Sequence, residues 1–451
     1  MKVLTSWWPQ MVALLQNLAT LILLAVVLPF NLVAVVAALL WRVIVAPWRS
    51  RPIAREPQRV LITGGKMTKA LQLARSFHRS GHRVVLVETH KYWLSGHRFS
   101  KAVDRFETVP APEKNADDYT QALLAIVQRE KIDAFIPVSS PVASYYDAVA
   151  GERLASHCQV MHFTAGVTEL LDDKFQLCKK AEALGLSTPR AFLITQPQQI
   201  LDFSFPADGS QYLLKSLRYD SVSRLDMTRL PFPGMEAYVK SLPISADNPW
   251  VMQEFITGQE YCTHSTVRQG KIRLHCCSQS SPFQVNYAHV DKPEIYAWVE
   301  KFVGALNLTG QISFDFIQAA DGTVYPIECN PRTHSAITMF YNHPELAEAY
   351  LSDRALQHAT PITPLPDSRP TYWLYHEIWR LMTVRNGSDL RHRLQVIRQG
   401  TDALFQLEDP LPFLTVPHWQ IPLLLLDNLR KLKGWVRIDF NIGKLVEMGG
   451  D

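Results

Sequence analysis

Between Lys2 and Arg42 the sequence has no charged residue. A stretch without one ionic side chain has no polar face to turn to water, which excludes an ordinary surface helix there. The six cysteines (Cys158, Cys178, Cys262, Cys276, Cys277 and Cys329) include no CxxC pair and no histidine at zinc-site spacing. That excludes a cysteine-rich metal module and reads as reduced thiols of a cytosolic protein. A basic body is lacking too. Residues 1–59 hold Lys2, Arg42, Arg49, Arg51, Arg55 and Arg59 against Glu56 alone, so this tail is +5 and the rest of the chain −1, for the total of +4. A near-neutral body has no electrostatic footprint for nucleic acid, and none is expected as a partner. With 20% charged and 47% hydrophobic residues over 451, a disordered chain is excluded and two or three domains fit.

The tail is what is there instead. From Leu18 it runs LATLILLAVVLPFNLVAVVAALLW before Arg42, and roughly 20 apolar residues suffice to cross a hydrocarbon core. A cleaved signal peptide fits poorly, because the apolar run is too long, only Lys2 precedes it and no small-residue cleavage site follows. The arginines after Trp41 predict a membrane-anchored chain whose folded body faces the cytoplasm. Trp7, Trp8, Trp41 and Trp48 suit interfacial belts. Pro29 and Asn31 in the middle predict either one kinked transmembrane helix or a re-entrant hairpin. Residues 47–59, rich in Pro and Arg, read as a linker and complete a first segment, 1–59.

Residues 60–165 read as alternating strands and helices. RVLITGG is a buried strand ending in a tight turn, KMTKALQLARSFHRS has helical spacing and stops at Gly81, and RVVLVE is a second strand. The alternation repeats through DRFETVPAP, DDYTQALLAIVQRE, DAFIPVSS, a Tyr-rich helix and CQVMHFT, which predicts a parallel, Rossmann-like sheet. A dinucleotide-dependent oxidoreductase would use Glu88 as its ribose acid, but TGGKMT lacks the GxGxxG glycines that admit a pyrophosphate. The alternative is a domain whose strand-end loops, Thr63 to Lys66, His90 to Tyr92 and Ser139-Ser140, line a shared cleft.

The most informative stretch is QISFDFI, then Asp321-Gly322, then YPIECNPR. It reads as a hairpin. Glu328 and Asn330, two apart on a strand, share a face, and Asp315 on the partner strand can join them. Two carboxylates and an amide oxygen form an all-oxygen site suited to Mg²⁺. Upstream, Lys174 follows Asp172-Asp173 at a helix start, Lys215 ends the apolar strand QYLLKS, and SLRYDSVSRLDM reads as a hydroxyl- and Arg-bearing loop able to fold over phosphates. WVMQEFITGQE then gives a strand, a Gly turn and the acid Glu260.

In the order Lys174, Lys215, QEFITGQE, Asp315, ECNPR, residues 60–345 resemble the ATP-grasp ligases. The resemblance implies a Rossmann-like domain at 60–165 followed by an ATP-grasp domain at 166–345, with subdomains at about 187–250 and 251–345. It implies that Lys174 and Lys215 contact the α- and β-phosphates of ATP, and that the main chain of Glu254 and Ile256 meets the adenine edge. It further implies that Gln253 faces the exocyclic amine, where many relatives have an acid, and that Glu260 holds the ribose. Asp315, Glu328 and Asn330 would bind Mg²⁺, which Mn²⁺ can replace, and Arg332 would stabilise the transferring phosphoryl group. His334 is a candidate base or orienting group, and Ser335 and Arg332 are candidates near the carboxylate of a glycine substrate. GGKMTKALQLARSFH, LVETHKYWLSGHRFS, ECNPRTHSAITMFYNHP and GWVRIDFNIGKLVEMGGD are similar to one branch of the family. That branch joins glycine to 4-deoxygadusol through a phosphorylated enol, giving ADP and phosphate. A ligase that joins two amino acids through an acyl phosphate would keep every nucleotide contact and change only the acceptor pocket.

Residues 346–451 read as a helical, aromatic extension. TYWLYHEIWRL has aromatic residues at helical spacing, more often core than cofactor box. LPFLTVPHWQIPLLLLDNLRKLKGW reads either as a patch resting on the membrane or as a docking surface on the body.

Overall fold

A computed structural model describes residues 7–45, 56–139, 141–218, 226–281, 286–352 and 360–447. The linker arginines 49, 51 and 55, Trp48, Ser140 and most of the expected phosphate loop lie outside the described residues. Short apolar runs become the parallel sheet. Strands β1 (Arg59–Ile62), β2 (Arg83–Thr89), β3 (Arg105–Val109), β4 (Ala134–Ile136) and β5 (Gln159–Val160) line up in the order β3-β2-β1-β4-β5. Every pairing is parallel, as right-handed crossovers through intervening helices require. Ahead of the sheet lies α1 (Trp7–Val45); α2 (Thr68–Arg79), α3 (Ala116–Glu130) and α4 (Pro141–Leu154) connect the strands. Gly81, at φ +87°, lets the chain turn off the end of α2, with the His82 amide donating to the Phe77 carbonyl.

Two helices, α5 (Ala165–Asp172) and α6 (Lys174–Ala183), lead into an antiparallel sheet. Its strands are β6 (Ala191–Ile194), β7 (Tyr212–Ser216), β8 (Arg229–Leu230) and β9 (Trp250–Glu254), in the order β6-β9-β7-β8. Next come β10 (Gln259–Arg268), β11 (Lys271–Gln279), the short β12 (Asn286–Tyr287), β13 (Gly310–Gln318) and β14 (Val324–Asn330). Four of these form a second antiparallel sheet, β11-β10-β13-β14. The Asp321-Gly322 turn joins β13 to β14: Gly322 takes φ +87° and the Thr323 amide donates to the Asp321 carboxylate. Helix Pro293–Ala305 covers one face, with Trp298 meeting Phe314 and Phe316, and Phe302 meeting Phe314, edge to face.

The C-terminal extension returns to the first sheet. Trp373, Leu404, Phe413, Val416, Ile421, Leu425 and Phe440 share one apolar core with Val60, Ile62, Leu71 and Phe77. The Arg75 guanidinium of α2 is buried against Asp409, at 2.8 Å. Trp373 is fully buried, as a core reading of TYWLYHEIWRL expects, while Ile378, Trp379 and Met382 on the same helix remain exposed.

Helix α1 runs through Pro29 without interruption for 39 residues, about 58 Å at ~1.5 Å per residue. The hairpin alternative therefore does not occur in the described residues. The body supplies polar partners on both sides of the proline. The His418 ring hydrogen-bonds the Leu24 carbonyl, and the Asn31 amide meets Tyr375 Oη at 2.6 Å and His418 Nε2 at 2.8 Å. Near the other end, Gln16 and Asn17 donate to the carbonyls of Trp435 and Lys433, each at 2.9 Å.

Candidate active site

Two antiparallel sheets and the start of α6 bring the candidate residues together. Asp173 caps α6, its carboxylate accepting the amides of Phe175 and Gln176. This fixes Lys174 at the first turn, where its Nζ reaches Glu328 Oε1 at 3.2 Å. On β14 the period of two carries Glu328 and Asn330 on one face, and Asp315 of β13 pairs in register with Glu328. Lys215, at the end of β7, sits in the field of Glu328, Lys174, Asp315 and Glu260. Arg332 links the Asn330 side-chain oxygen to Asp172, 3.7 Å away. Lys174, Lys215, Glu260, Asp315, Glu328, Asn330 and Arg332 thus form one cluster of three cations, three carboxylates and an amide.

The electrostatics follow from burial and sign. Burial, then the neighbouring Glu328 and Glu260, push the Asp315 carboxyl up to about 8. Burial would also raise Glu328, but Lys174, Lys215 and Arg332 outweigh it and hold it below its ordinary value. Lys215 is lowered by burial, opposed by the carboxylates around it. Asp315 Oδ1 is buried and has no hydrogen-bond partner. An uncompensated carboxylate oxygen costs free energy unless a cation meets it, so the donor set fits a hard divalent ion. Among the described residues no three His, Cys, Asp or Glu side chains form a metal cluster; the fit rests on two carboxylates and the Asn330 amide, a sparse shell of the kind Mg²⁺ completes with water and phosphate.

Beside this cluster β9 presents Gln253 and Glu254. Gln253 is buried, paired in register with Leu213 of β7, and its amide donates to Cys178 Sγ of α6 at 3.6 Å. The Glu254 side chain turns to Arg190, which donates to both its oxygens at 2.9 and 3.0 Å. Its amide donates to the Arg190 carbonyl. Ile256 follows outside regular structure, half-buried.

His334, two residues after Arg332, is half-buried. Its Nδ1 accepts the Ala336 amide at 3.3 Å, and its own amide donates to His264 Nδ1 at 3.3 Å. Burial and the cations Lys69 and Arg332 push the imidazole down to about 3, so it is neutral, with the proton assigned to Nε2. A base would have to accept at the occupied Nδ1. This geometry suits an orienting group better than a proton acceptor. The Ser335 hydroxyl is buried and bonds to the side chain of Asn441.

Sequence reasoning missed Lys69, His264 and Asn441. Lys69 lies one turn after Lys66 on α2, a spacing visible in KMTK. Its Nζ is buried, donates to the Thr333 carbonyl at 2.6 Å, and has no carboxylate ion-pair partner among the described residues. Burial, then Arg332 and Lys66, push it down to about 7. Glu88, the ribose acid of the dinucleotide reading, is taken up locally. It accepts the Lys66 amide and ammonium, at 3.1 and 3.2 Å, and the Thr89 amide at 2.9 Å.

No family model matches the chain, and no curated protein does. Among solved structures it is similar to the N5-carboxyaminoimidazole synthetase from Staphylococcus aureus complexed with ADP. That match has 14% identity and TM-score 0.52 and covers 71% of this chain and 82% of the other. An ADP complex of N5-carboxyaminoimidazole ribonucleotide synthetase gives the same values. The L-amino acid ligase from Bacillus licheniformis is 18% identical with TM-score 0.46, over 62% of this chain and 68% of the other. The likeness to the two synthetases shows the fold: this chain has the α/β fold of the ATP-grasp enzymes.

Proposed function

We propose that the chain is an ATP-dependent, carbon–nitrogen bond-forming ligase that condenses glycine with 4-deoxygadusol. The observation that carries the ligase reading is the convergence of Lys174, Lys215 and Arg332 on Asp315, Glu328 and Asn330 across two sheets. Cations set beside a hard-cation site are what a triphosphate requires. The acceptor rests on the resemblance of GGKMTKALQLARSFH, ECNPRTHSAITMFYNHP and GWVRIDFNIGKLVEMGGD to the cyanobacterial mycosporine-glycine synthases, which make ultraviolet-screening compounds.

In this reading Lys174 and Lys215 hold the α- and β-phosphates, the main chain of Glu254 and Ile256 meets the adenine, Gln253 its amine, and Glu260 the ribose. Mg²⁺ on Asp315, Glu328 and Asn330 supplies charge neutralisation when bound. The enol oxygen of the acceptor takes the γ-phosphoryl group and ADP leaves; the glycine amine then adds to that carbon and expels phosphate. Arg332 neutralises the charge on the moving phosphoryl group. Lys69, a buried cation between Arg332 and Lys66, faces the glycine carboxylate, and His334 keeps the loop after Arg332 in place. The domain limits 60–165, 166–345 and 346–451 belong to the same reading.

The test is incubation with Mg·ATP, glycine and 4-deoxygadusol. ADP together with a new near-ultraviolet chromophore is expected. ADP formed only with two amino acids would replace the acceptor assignment with the dipeptide reaction, and nicotinamide turnover would remove the ligase reading.

A further inference from the structure

Helix α1 has two faces, and they do opposite things. Ala13, Asn17, Leu24, Asn31, Val35 and Ala38 are buried. At 100° per residue they fall on one stripe, and this stripe packs on the segments 411–415, 416–420 and 421–431. Leu15, Ile22, Val26, Phe30, Val33 and Leu40 fall on the opposite stripe and are all 59–73% exposed. Leu40 is 61% exposed, so the whole outer stripe is open from Leu15 to Leu40, about 37 Å at ~1.5 Å per residue. A continuous apolar face of that length is far beyond scattered surface leucines.

The way the body grips α1 decides how such a helix can meet a bilayer. Its polar side chains Asn17 and Asn31 are both bonded to the body, to the Lys433 carbonyl and to Tyr375 and His418. These contacts are about 21 Å apart along the axis, while a hydrocarbon core is about 30 Å thick. A helix crossing the core would therefore carry at least one of the two grips into lipid, either Lys433 with its Glu447 ion pair or the Tyr375–His418 pair. Unzipping the seam instead would strip the Asn31 amide of both its partners in hydrocarbon and leave Asn17 only its intrahelical bond to the Ala13 carbonyl. Lying flat incurs neither cost. The gripping segments also carry exposed apolar side chains, Trp419, Leu423 and Leu426, as does the helix of Tyr375, with Trp379 and Met382.

We propose that α1 is an in-plane membrane-docking element: its outer stripe sinks into one leaflet of a bilayer with anionic headgroups, and the whole body rests on that leaflet. Charge fits this occupant, because Lys2 precedes the helix and Arg42, Arg49, Arg51 and Arg55 follow its apolar run. A second copy fits less well. Paired helices set register through charged flanking positions, and there is no charge between Val3 and Trp41. The docking mode is independent of the reaction proposed above.

The test uses the full chain expressed in bacteria, with Gln10→Cys and Ile44→Cys placed at the two ends of α1 and the parent chain as the blank. A membrane-impermeant maleimide should label both positions in inverted vesicles and neither in intact spheroplasts. Labelling of Gln10→Cys from the opposite side to Ile44→Cys would establish a span and overturn the proposal. Separately, Val26→Asp with Val33→Asp alters only exposed positions, so its thermal unfolding should match the parent. Its bound fraction on vesicles of phosphatidylcholine and phosphatidylglycerol should fall about tenfold or more. Undiminished binding would overturn the proposal. So would a parent chain that ignores vesicles and sediments as a dimer, with the aspartate variant a monomer, which would assign the stripe to a second copy.

Discussion

Asp315 and Glu328 stand opposite each other across β13 and β14, yet their carboxyls are driven in opposite directions. Burial and like charge raise Asp315, while Lys174, Lys215 and Arg332 overcome burial and lower Glu328. The pair is therefore asymmetric. Glu328 is already neutralised by protein cations, and Asp315 keeps one buried oxygen without a partner.

A divalent ion is what Asp315 lacks, so removing both carboxylates should remove metal-dependent phosphoryl transfer. Asp315→Asn with Glu328→Gln should reduce ADP release by at least ~10³-fold, the scale on which charge-stabilising groups act. The substituted amides fill the same space, so the circular dichroism spectrum should stay that of the parent. Undiminished turnover in the double variant would remove the metal assignment.

Lys69 should separate the amino acid from the nucleotide. Lys69→Met keeps the length of the side chain and deletes a buried cation that has no carboxylate partner. Such a deletion is often neutral or stabilising. The KM for glycine should rise about tenfold, some 1.4 kcal/mol, with the KM for ATP unchanged and the Tm not lowered. Because the ammonium is lost as pH rises through about 7, the parent's KM for glycine should climb above that pH and the variant's should not. A lowered Tm with both KM values unmoved would mean that Lys69 only holds the Thr333 carbonyl.

The acid limb of stability should be set by buried histidines. Burial pushes His97 and His275 down to about 3 and His162 to about 4, from 6.5. His97 donates from Nδ1 to the Gly65 carbonyl, and its Nε2 has no partner. The folded state keeps these rings neutral, so their full contribution is present above pH 6.5. As pH falls from there toward 3–4, the unfolded chain takes up protons that the folded chain refuses, and each ring costs about 1.4 kcal/mol per pH unit. The Tm should therefore drop steeply between pH 6.5 and 4.5, and less steeply in His97→Asn. A flat profile over that window would contradict the burial of these rings.

Much of this architecture was legible in residue order because its signals are local. Short β-rich runs between helical periods gave the parallel sheet. Asp321-Gly322 gave the β13–β14 hairpin, and the period of two placed Glu328 with Asn330 and allowed Asp315 to join them. What was not legible depends on contacts between distant segments. Pro29 left a kinked helix or a hairpin open, and it is His418 and Tyr375, nearly 400 and 350 residues away, that meet polar groups on both sides of it in one continuous helix. Lys69 looks like any helix lysine until the Thr333 loop buries it. Glu254 was read through its main chain, and nothing in its neighbourhood announced Arg190 as its partner.

The last of these distant contacts gives the C-terminal extension a direct bearing on the site. Gly443 has φ +65°, and a Cβ there would run into the Lys66 carbonyl and the Gln420 amide. The segment around it holds the start of α2: the Asn441 carbonyl accepts the Thr68 amide at 2.8 Å, and the Asn441 side chain bonds Ser335. Gly443→Ala adds a left-handed strain of roughly 1–2 kcal/mol and a clash that only movement of the 66–69 turn or of the C-terminal strand pair, Arg437–Asp439 with Lys444–Val446, can relieve. Stability should fall by about 2–4 kcal/mol, read as a lowered denaturation midpoint. If the 66–69 turn gives way, the KM for glycine should rise with it; if the C-terminal pair gives way instead, stability falls and that KM holds. Asn441→Ala, which removes the side-chain bond to Ser335 and leaves the main-chain contact to Thr68, should show the kinetic effect with the smaller stability loss. A Gly443→Ala variant as stable as the parent would mean that the extension does not press on the Lys66 turn.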